Sequence, residues 1–158
     1  MQRHPMTPEG FGAIEKELKE LKEFTRPRIV RDIEEARAHG DISENSEYED
    51  AKDRQGHCEG RIGELETVLA GAEVIDVTRL PPSDRVVFGV RVQISSAESG
   101  EERTWRIVGE KEASIPDGRI SFRSPLGRAL IGRHVGDEVQ VPAPSGVQKW
   151  EIVDVVYG

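Results

Sequence analysis

The run Gly40-Asp41-Ile42-Ser43-Glu44-Asn45-Ser46-Glu47-Tyr48-Glu49-Asp50-Ala51-Lys52-Asp53 packs six carboxylates into one short stretch that opens on a glycine. Carboxylate oxygens suit hard cations such as Mg²⁺, and acids three residues apart, as Asp41 and Glu44 are, can converge on one ion. Two carboxylates on an exposed turn hold such an ion weakly, so the pair becomes useful when a partner supplies the remaining ligands. A structural use competes with this chemistry. Acids favour a helix N-terminus by about 0.3–1 kcal/mol each, and Asp41, Ser43 or Asn45 can cap a helix starting there by accepting from its free amides. Asp41 to Glu44 also has capping-box spacing. Capping needs one or two acids, however, and six repel one another.

The elements on either side must position this stretch. From about Pro8 to Ala72 the periodicity is helical. Phe11, Ile14, Leu18 and Leu21 step by three and four, and Ile29, Ile33 and Ala36 resume in a shifted phase around Pro27. This predicts one long helix with a stutter and a kink. Ala51, Gln55, Cys58, Ile62, Leu65, Leu69 and Ala72 alternate steps of four and three, a coiled-coil seam. A connection as short as the one at Gly40 makes the two helices antiparallel neighbours, with the acids at the bend. Gly40 is expected to end the first helix by permitting a left-handed conformation. Periodicity alone is equally served by a helical hairpin used for dimerisation or as a spacer.

After Asp76 the period changes to two. Val87, Val90, Val92 and Ile94 precede a Ser99-Gly100 turn, and Thr104, Trp105, Ile107 and Val108 form the returning strand. Ser124-Pro125 opens a short helix that Gly132 closes. Val139 and Val141, the Pro144-Ser145-Gly146 turn, and Val147, Trp150, Ile152 and Val155 make a second hairpin. The fold class is therefore α+β, an N-terminal antiparallel coiled-coil hairpin followed by a small β-rich domain. The expected boundaries are 1–76 for the hairpin, 77–83 for a linker stiffened by Pro81-Pro82, and 84–158 for the β-rich domain. Trp105 and Trp150 are expected in its core.

Net charge is −8, which argues against a free-standing binder of nucleic-acid phosphates. Residues 1–76 hold 19 acidic and 11 basic side chains, whereas 77–158 hold 11 of each. The charge thus sits in the helical half. The single cysteine, Cys58, cannot form an internal disulfide, and no Cys or His pair has zinc-ligand spacing. No apolar run approaches the roughly 20 residues needed to cross a bilayer, and the expected location is cytoplasmic, with no membrane partner.

Gly40 to Tyr48, with Ala51-Lys52 following, resembles the tip signature of the GreA/GreB family of bacterial transcription elongation factors. Met6-Thr7, Gly10, Glu17-Leu18, Leu21-Lys22 and Arg26-Pro27 resemble the family's first helix, and Glu59-Gly60-Arg61-Ile62 its second. Val87-Phe88-Gly89, Arg106-Ile107-Val108-Gly109, Ile120-Ser121 and Ser124-Pro125-Leu126-Gly127-Arg128-Ala129-Leu130-Ile131-Gly132 are similar to its second domain. Ile42 and Ser46 depart from the leucine and alanine usual in the tip signature.

The resemblance implies a factor that enters the secondary channel of bacterial RNA polymerase and stimulates cleavage of the backtracked nascent RNA 3′ end. Asp41 and Glu44 would help hold a second Mg²⁺ and orient the attacking water, in two-metal hydrolysis whose first ion polymerase holds. The Mg²⁺ is shared with polymerase, no cofactor is bound alone, and no activity is expected without polymerase. Gly40, Ser43, Asn45, Ser46 and Glu47 would shape the tip, and Tyr48 would pack on the channel wall or RNA. Arg37, Lys52 and Arg61 would contact RNA phosphates, with ordinary pairing to neighbouring acids as the alternative. The resemblance further implies an FKBP-like second domain, docking on the channel rim through Ser124 and Pro125. Isomerase activity is not implied, because this half has few aromatics to line such a pocket. Three rivals remain: a Gre-like regulator that occupies the channel without catalysis, a coiled-coil adaptor or acidic mimic of nucleic acid whose acids matter only as summed charge, and a prolyl isomerase acting through residues 84–158.

Overall fold

The structure is a computed structural model and describes residues 3–40 and 45–158. By contact it divides into two compact units, one of them Phe11–Ala72, the other Arg3–Gly10 together with Glu73–Gly158. The expected class, α+β with a helical hairpin and a β-rich domain, holds.

The helical unit is built from α1 (Pro8–Glu20, belonging to it from Phe11 onward), a π-helical turn at Leu21–Thr25, α2 (Arg26–Ala38) and α3 (Ser46–Ala70). Backbone angles stay helical through Glu20, Thr25 and Arg26, so the chain runs through the junctions without a break. The phase shift read from sequence is this π turn. Pro27 has no N–H to donate, and its ring crowds the carbonyl four residues back. The wider turn relieves that crowding: the Arg26 amide reaches Leu21 O, five residues back.

Ile29, Ile33 and Ala36 of α2 are buried, as are Ala51, Cys58 and Ile62 of α3, with Leu18, Leu21 and Tyr48 packed at the margin. The predicted seam on α3 holds as far as Leu65, although Gln55 is half-buried. Beyond it Val68 is buried where Leu69 was expected, Leu69 is half-buried, and Ala72 falls past the helix end. A seam with a 3.5-residue repeat drifts about 20° per heptad on an α-helix, so two heptads after Ala51 it passes between positions 68 and 69. The antiparallel course shows in the ion pairs across the hairpin. Arg26 meets Glu59 and Asp32 meets Arg54, so partners fall on α3 as they rise on α2.

In the other unit a five-stranded sheet has the order β5-β4-β3-β7-β6, from β3 (Arg91–Ser96), β4 (Glu102–Val108), β5 (Arg119–Ser121), β6 (Glu138–Ala143) and β7 (Gly146–Val156). All neighbours are antiparallel except β4 and β5. The two predicted hairpins are β3–β4 and β6–β7. Along β3, Val92 and Ile94 turn inward while Arg91 faces solvent, the period-two pattern of a half-buried strand. A bulge opposite Gln93/Ile94 leaves Val153 of β7 without a partner. The helix α4 (Pro125–Leu130) packs Leu130 into a core of Val86, Val90, Ile107, Ile120, Val139 and Ile152. Trp150 is buried in this core and Trp105 packs at its edge. Val77, in the stretch read as linker, is 3% exposed and packs into the same core.

The N-terminal segment departs from the sequence reading. Met6-Thr7, read as the start of the first helix, instead ends β1 (His4–Met6), which pairs with β2 (Ala72–Val74), and caps α1. The Thr7 hydroxyl accepts from the Gly10 amide at 3.1 Å. It also bonds to Glu112, a carboxylate only 8% exposed that further accepts from Thr7 N at 3.1 Å and Gly109 N at 2.9 Å. The approach is close on both sides. A Cβ on Gly10 would lie 1.9 Å from Glu112 Oε1, and one on Gly109 would lie 2.4 Å from Pro5 O. Both positions therefore require glycine.

Candidate functional site at the hairpin tip

The last turn of α2 closes with the His39 amide bonded to Ala36 O at 3.2 Å, and Gly40 follows at φ +121°, a backbone angle that side-chain-bearing residues rarely adopt. Gly40 thus has the role expected of it, at a φ well beyond that of the left-handed helix. Asp41, Ile42, Ser43 and Glu44 lie outside the described residues, and with them the predicted metal-binding pair and two of the three candidate caps, Asp41 and Ser43. The chain is described again at Asn45, which caps α3. Its Oδ1 accepts from Tyr48 N at 3.2 Å, and its Nδ2 donates to Ala36 O at 2.5 Å. One amide therefore joins the first turn of α3 to the last turn of α2.

Two further contacts bracket the same place. The Arg37 guanidinium lies over the Tyr48 ring, 5.7 Å from its centroid, and His39 Nδ1 stands 3.4 Å from Glu47 Oε2. Tyr48 is half-buried against the hairpin core, while Ser46 and Glu47 are exposed. Asp50, another of the six acids, pairs with Arg54, which also binds Asp32. Lys52 donates to Gln55 at 3.0 Å. Arg61 is differently placed: it grips Glu17 through two hydrogen bonds, at 2.7 and 3.0 Å, and stands 3.4 Å from Glu64. It lies 15 residues past the start of α3, about 22 Å along the helix. Of the three predicted phosphate contacts, Arg37 and Lys52 flank the tip and Arg61 serves in a cross-helix ion pair.

Glu17 is held below its ordinary pKa, chiefly by the Arg61 hydrogen bond, and Glu59 likewise by Arg26. A carboxyl whose pKa is lowered on folding stabilises the fold above its unfolded pKa and loses that contribution as pH falls. The helical unit should hold its unfolding midpoint from pH 8 to 6 and lose stability below about pH 4.3. The Glu17–Arg61 pair is nearly half-exposed, so solvent screening limits it to about 0.3–1 kcal/mol. Thermal melts by circular dichroism in low salt check this. Glu17→Gln should shrink the acid-side loss, and an unchanged acid limb would show the pair to be without weight.

In the β-rich unit the Ser124 hydroxyl caps α4, accepting from Gly127 N at 3.1 Å and donating to Ser121 O at 2.6 Å, and Pro125 is exposed beside it. Next along the chain, Phe122 meets Phe88 edge to face at 5.8 Å, with Arg123 over its ring. Sequence reading passed over this aromatic pair, because its members stand 34 residues apart and neither lies in a periodic run. Among the described residues no three His, Cys, Asp or Glu side chains converge as a metal site, and no helix is long and apolar enough to cross a membrane.

A charged helical hairpin, its two helices braced to each other by the Asn45 amide, is joined in one chain to a small mixed β-sheet. Residues 4–74 match the family "Transcription elongation factor, N-terminal" and residues 81–157 match "Transcription elongation factor, GreA/GreB, C-term". The chain belongs to the GreA/GreB family of transcription elongation factors. It is 51% identical over 157 residues to the transcription elongation factor GreA of Psychrobacter cryohalolentis, covering 99% of each chain. It is 54% identical to the GreA of Anaeromyxobacter sp. strain K, covering 99% of this chain and 94% of that one. A solved GreA/GreB factor from Nitrosomonas europaea aligns at 25% identity over 99% of this chain and 100% of its own, with a TM-score of 0.44.

Proposed function

We propose that this chain stimulates bacterial RNA polymerase to cleave the 3′ end of backtracked nascent RNA. The hairpin enters the secondary channel from outside, the β-rich unit docks on the channel rim through Ser124 and Pro125, and Asp41 and Glu44 complete the polymerase active site. The observation that supports this reading is the braced bend: Asn45, Glu47 and Tyr48 at the start of α3 are tied to Ala36, Arg37 and His39 at the end of α2, on either side in sequence of the acidic pair.

Two carboxylates suit a hard divalent cation, and polymerase provides the ligands that an exposed pair lacks. A Mg²⁺ shared in this way supplies Lewis-acid polarisation of the attacking water and of the scissile phosphate. Arg37 and Lys52 flank the tip and attract RNA phosphates without regard to sequence, whereas Arg61 mainly holds the hairpin together through Glu17. The factor works in the cytoplasm, where bacterial transcription occurs, and is inert as a nuclease without polymerase.

The test is cleavage in a purified, backtracked bacterial elongation complex with Mg²⁺. Asp41→Asn and Glu44→Gln should each slow cleavage at least tenfold, about 1.4 kcal/mol of transition-state stabilisation, while binding polymerase as the parent does. If parent and variants shorten the transcript equally, or none does, the acids are not catalytic and the chain acts by occupying the channel.

A further inference from the structure

The outer face of the five-stranded sheet is sorted by charge. Residues directly opposite each other on neighbouring strands share a face, so the register sets Arg91, Arg106 and Arg119 in one row across β3, β4 and β5. A second row, across β6, β7, β3 and β4, reads Glu138, Glu151, Ser95 and Glu102. The rows lie about 13 Å apart, the span of four residues along β3. Both are on the side away from the core, since Val92 and Ile94 of β3 turn inward.

Three of the directly opposite pairs on this face are like-charged, Arg91 with Arg106, Arg106 with Arg119 and Glu138 with Glu151, and none is opposite-charged. Like charges so placed destabilise a sheet, so the sorting does not serve the stability of a single chain. Two of the arginines are compensated from outside the sheet, Arg106 by Glu9 at 2.9 Å and Arg119 by Asp117 at 3.6 Å. Arg91 and the three glutamates are exposed and make no ion pair among the described residues. Val147 and Val156, also exposed, add apolar area to the same face.

We infer that this face pairs with the same face of a second copy of the chain, about a two-fold axis that lies between the two sheets and runs across the strands. That operation reverses strand direction, so the arginine row of each copy lies over the glutamate row of the other and both rows are matched at once. A polyanion or a polycation would meet one row and be repelled by the other. The inference is independent of the cleavage reading.

Sedimentation equilibrium of the full chain tests it in about 0.1 M salt, where net charge is screened beyond about 10 Å while touching groups are not. The parent should dimerise reversibly. Arg91→Glu and Glu151→Arg each remove a like-charged pair within the sheet, so at dilution neither should melt below the parent, yet each should raise the dimer dissociation constant at least tenfold. Mixed in equal amounts, the two variants should associate within threefold of the parent's affinity, because each meets its complement in both rows. A chain still monomeric at about 0.5 mM, variants that dimerise as the parent does, or a mixture that fails to recover overturns the inference. So does a monomeric chain that binds a fluorescein-labelled single-stranded oligonucleotide and loses it in Arg91→Glu, which would give the arginine row to a phosphate ligand.

Discussion

Replacing Glu112 with alanine should destabilise the β-rich unit by about 3–4 kcal/mol, because three donors, Thr7 N, Thr7 Oγ1 and Gly109 N, lose their shared acceptor where water cannot replace it. Glu112→Gln keeps the shape but loses the charge-assisted character of these bonds and turns an NH₂ toward donors, and should cost about 2 kcal/mol. Both tryptophans, Trp105 and Trp150, lie in this unit, so denaturant unfolding followed by tryptophan fluorescence reads it directly. The geometry also predicts a sign of coupling. Gly10→Ala clashes with the Glu112 carboxylate itself, so it should be costly in the parent and nearly free in Glu112→Ala. Gly109→Ala clashes with the backbone oxygen of Pro5 and should stay costly in both. Additive costs for Gly10 and Glu112 would rule out the packing described.

In the helical unit the corresponding residue is Ile62, 2% exposed in a core that otherwise consists of Ile29, Ile33, Ala51 and Cys58. A buried isoleucine cut to alanine costs about 2–5 kcal/mol, the upper part where neighbours cannot collapse into the gap. The neighbours here are on stiff helices, and Cys58, one turn back on the same helix, is too short to fill the gap. Ile62→Ala should therefore cost about 3 kcal/mol and Ile62→Val about 1 kcal/mol, read from the helical circular dichroism signal. A cost below about 1 kcal/mol for alanine would mean that the seam does not hold the hairpin and that the exposed ion pairs do, against their usual weight.

What was legible in the sequence follows from how local each signal is. The α3 seam repeats within a few residues, and it was read correctly until supercoil drift placed the stripe between Val68 and Leu69. The shifted phase at Pro27 marked the π turn, because an inserted residue in a helix shows directly as a change of face. Both β-hairpins could be read from alternation and from turns at Ser99-Gly100 and Ser145-Gly146. The strand β5 was not predicted, since three residues are too few to show a period and a parallel partner leaves no turn signal. The contact of Thr7 with Glu112 spans 105 residues and buries a charge, against every composition rule. At the tip the sequence offered Asp41, Ser43 and Asn45 as caps without ranking them; among the described residues Asn45 fills that place, and its bond to Ala36 O has no counterpart in spacing.

The π turn has a meaning for the gene. Codons are gained and lost three nucleotides at a time, and a π turn is the conformation a helix takes when one residue has been inserted without breaking it. Losing one codon within Leu21–Thr25 would restore an uninterrupted α-helical register and return Pro27 to its clash with the carbonyl four residues behind. It would also swing Leu18 about 100° around the axis relative to Ile29 and Ile33, away from the face on which the hairpin closes. Leu21 is held to an apolar residue by its packing on the hairpin core, while for the other four positions the number of residues is fixed more firmly than their identity.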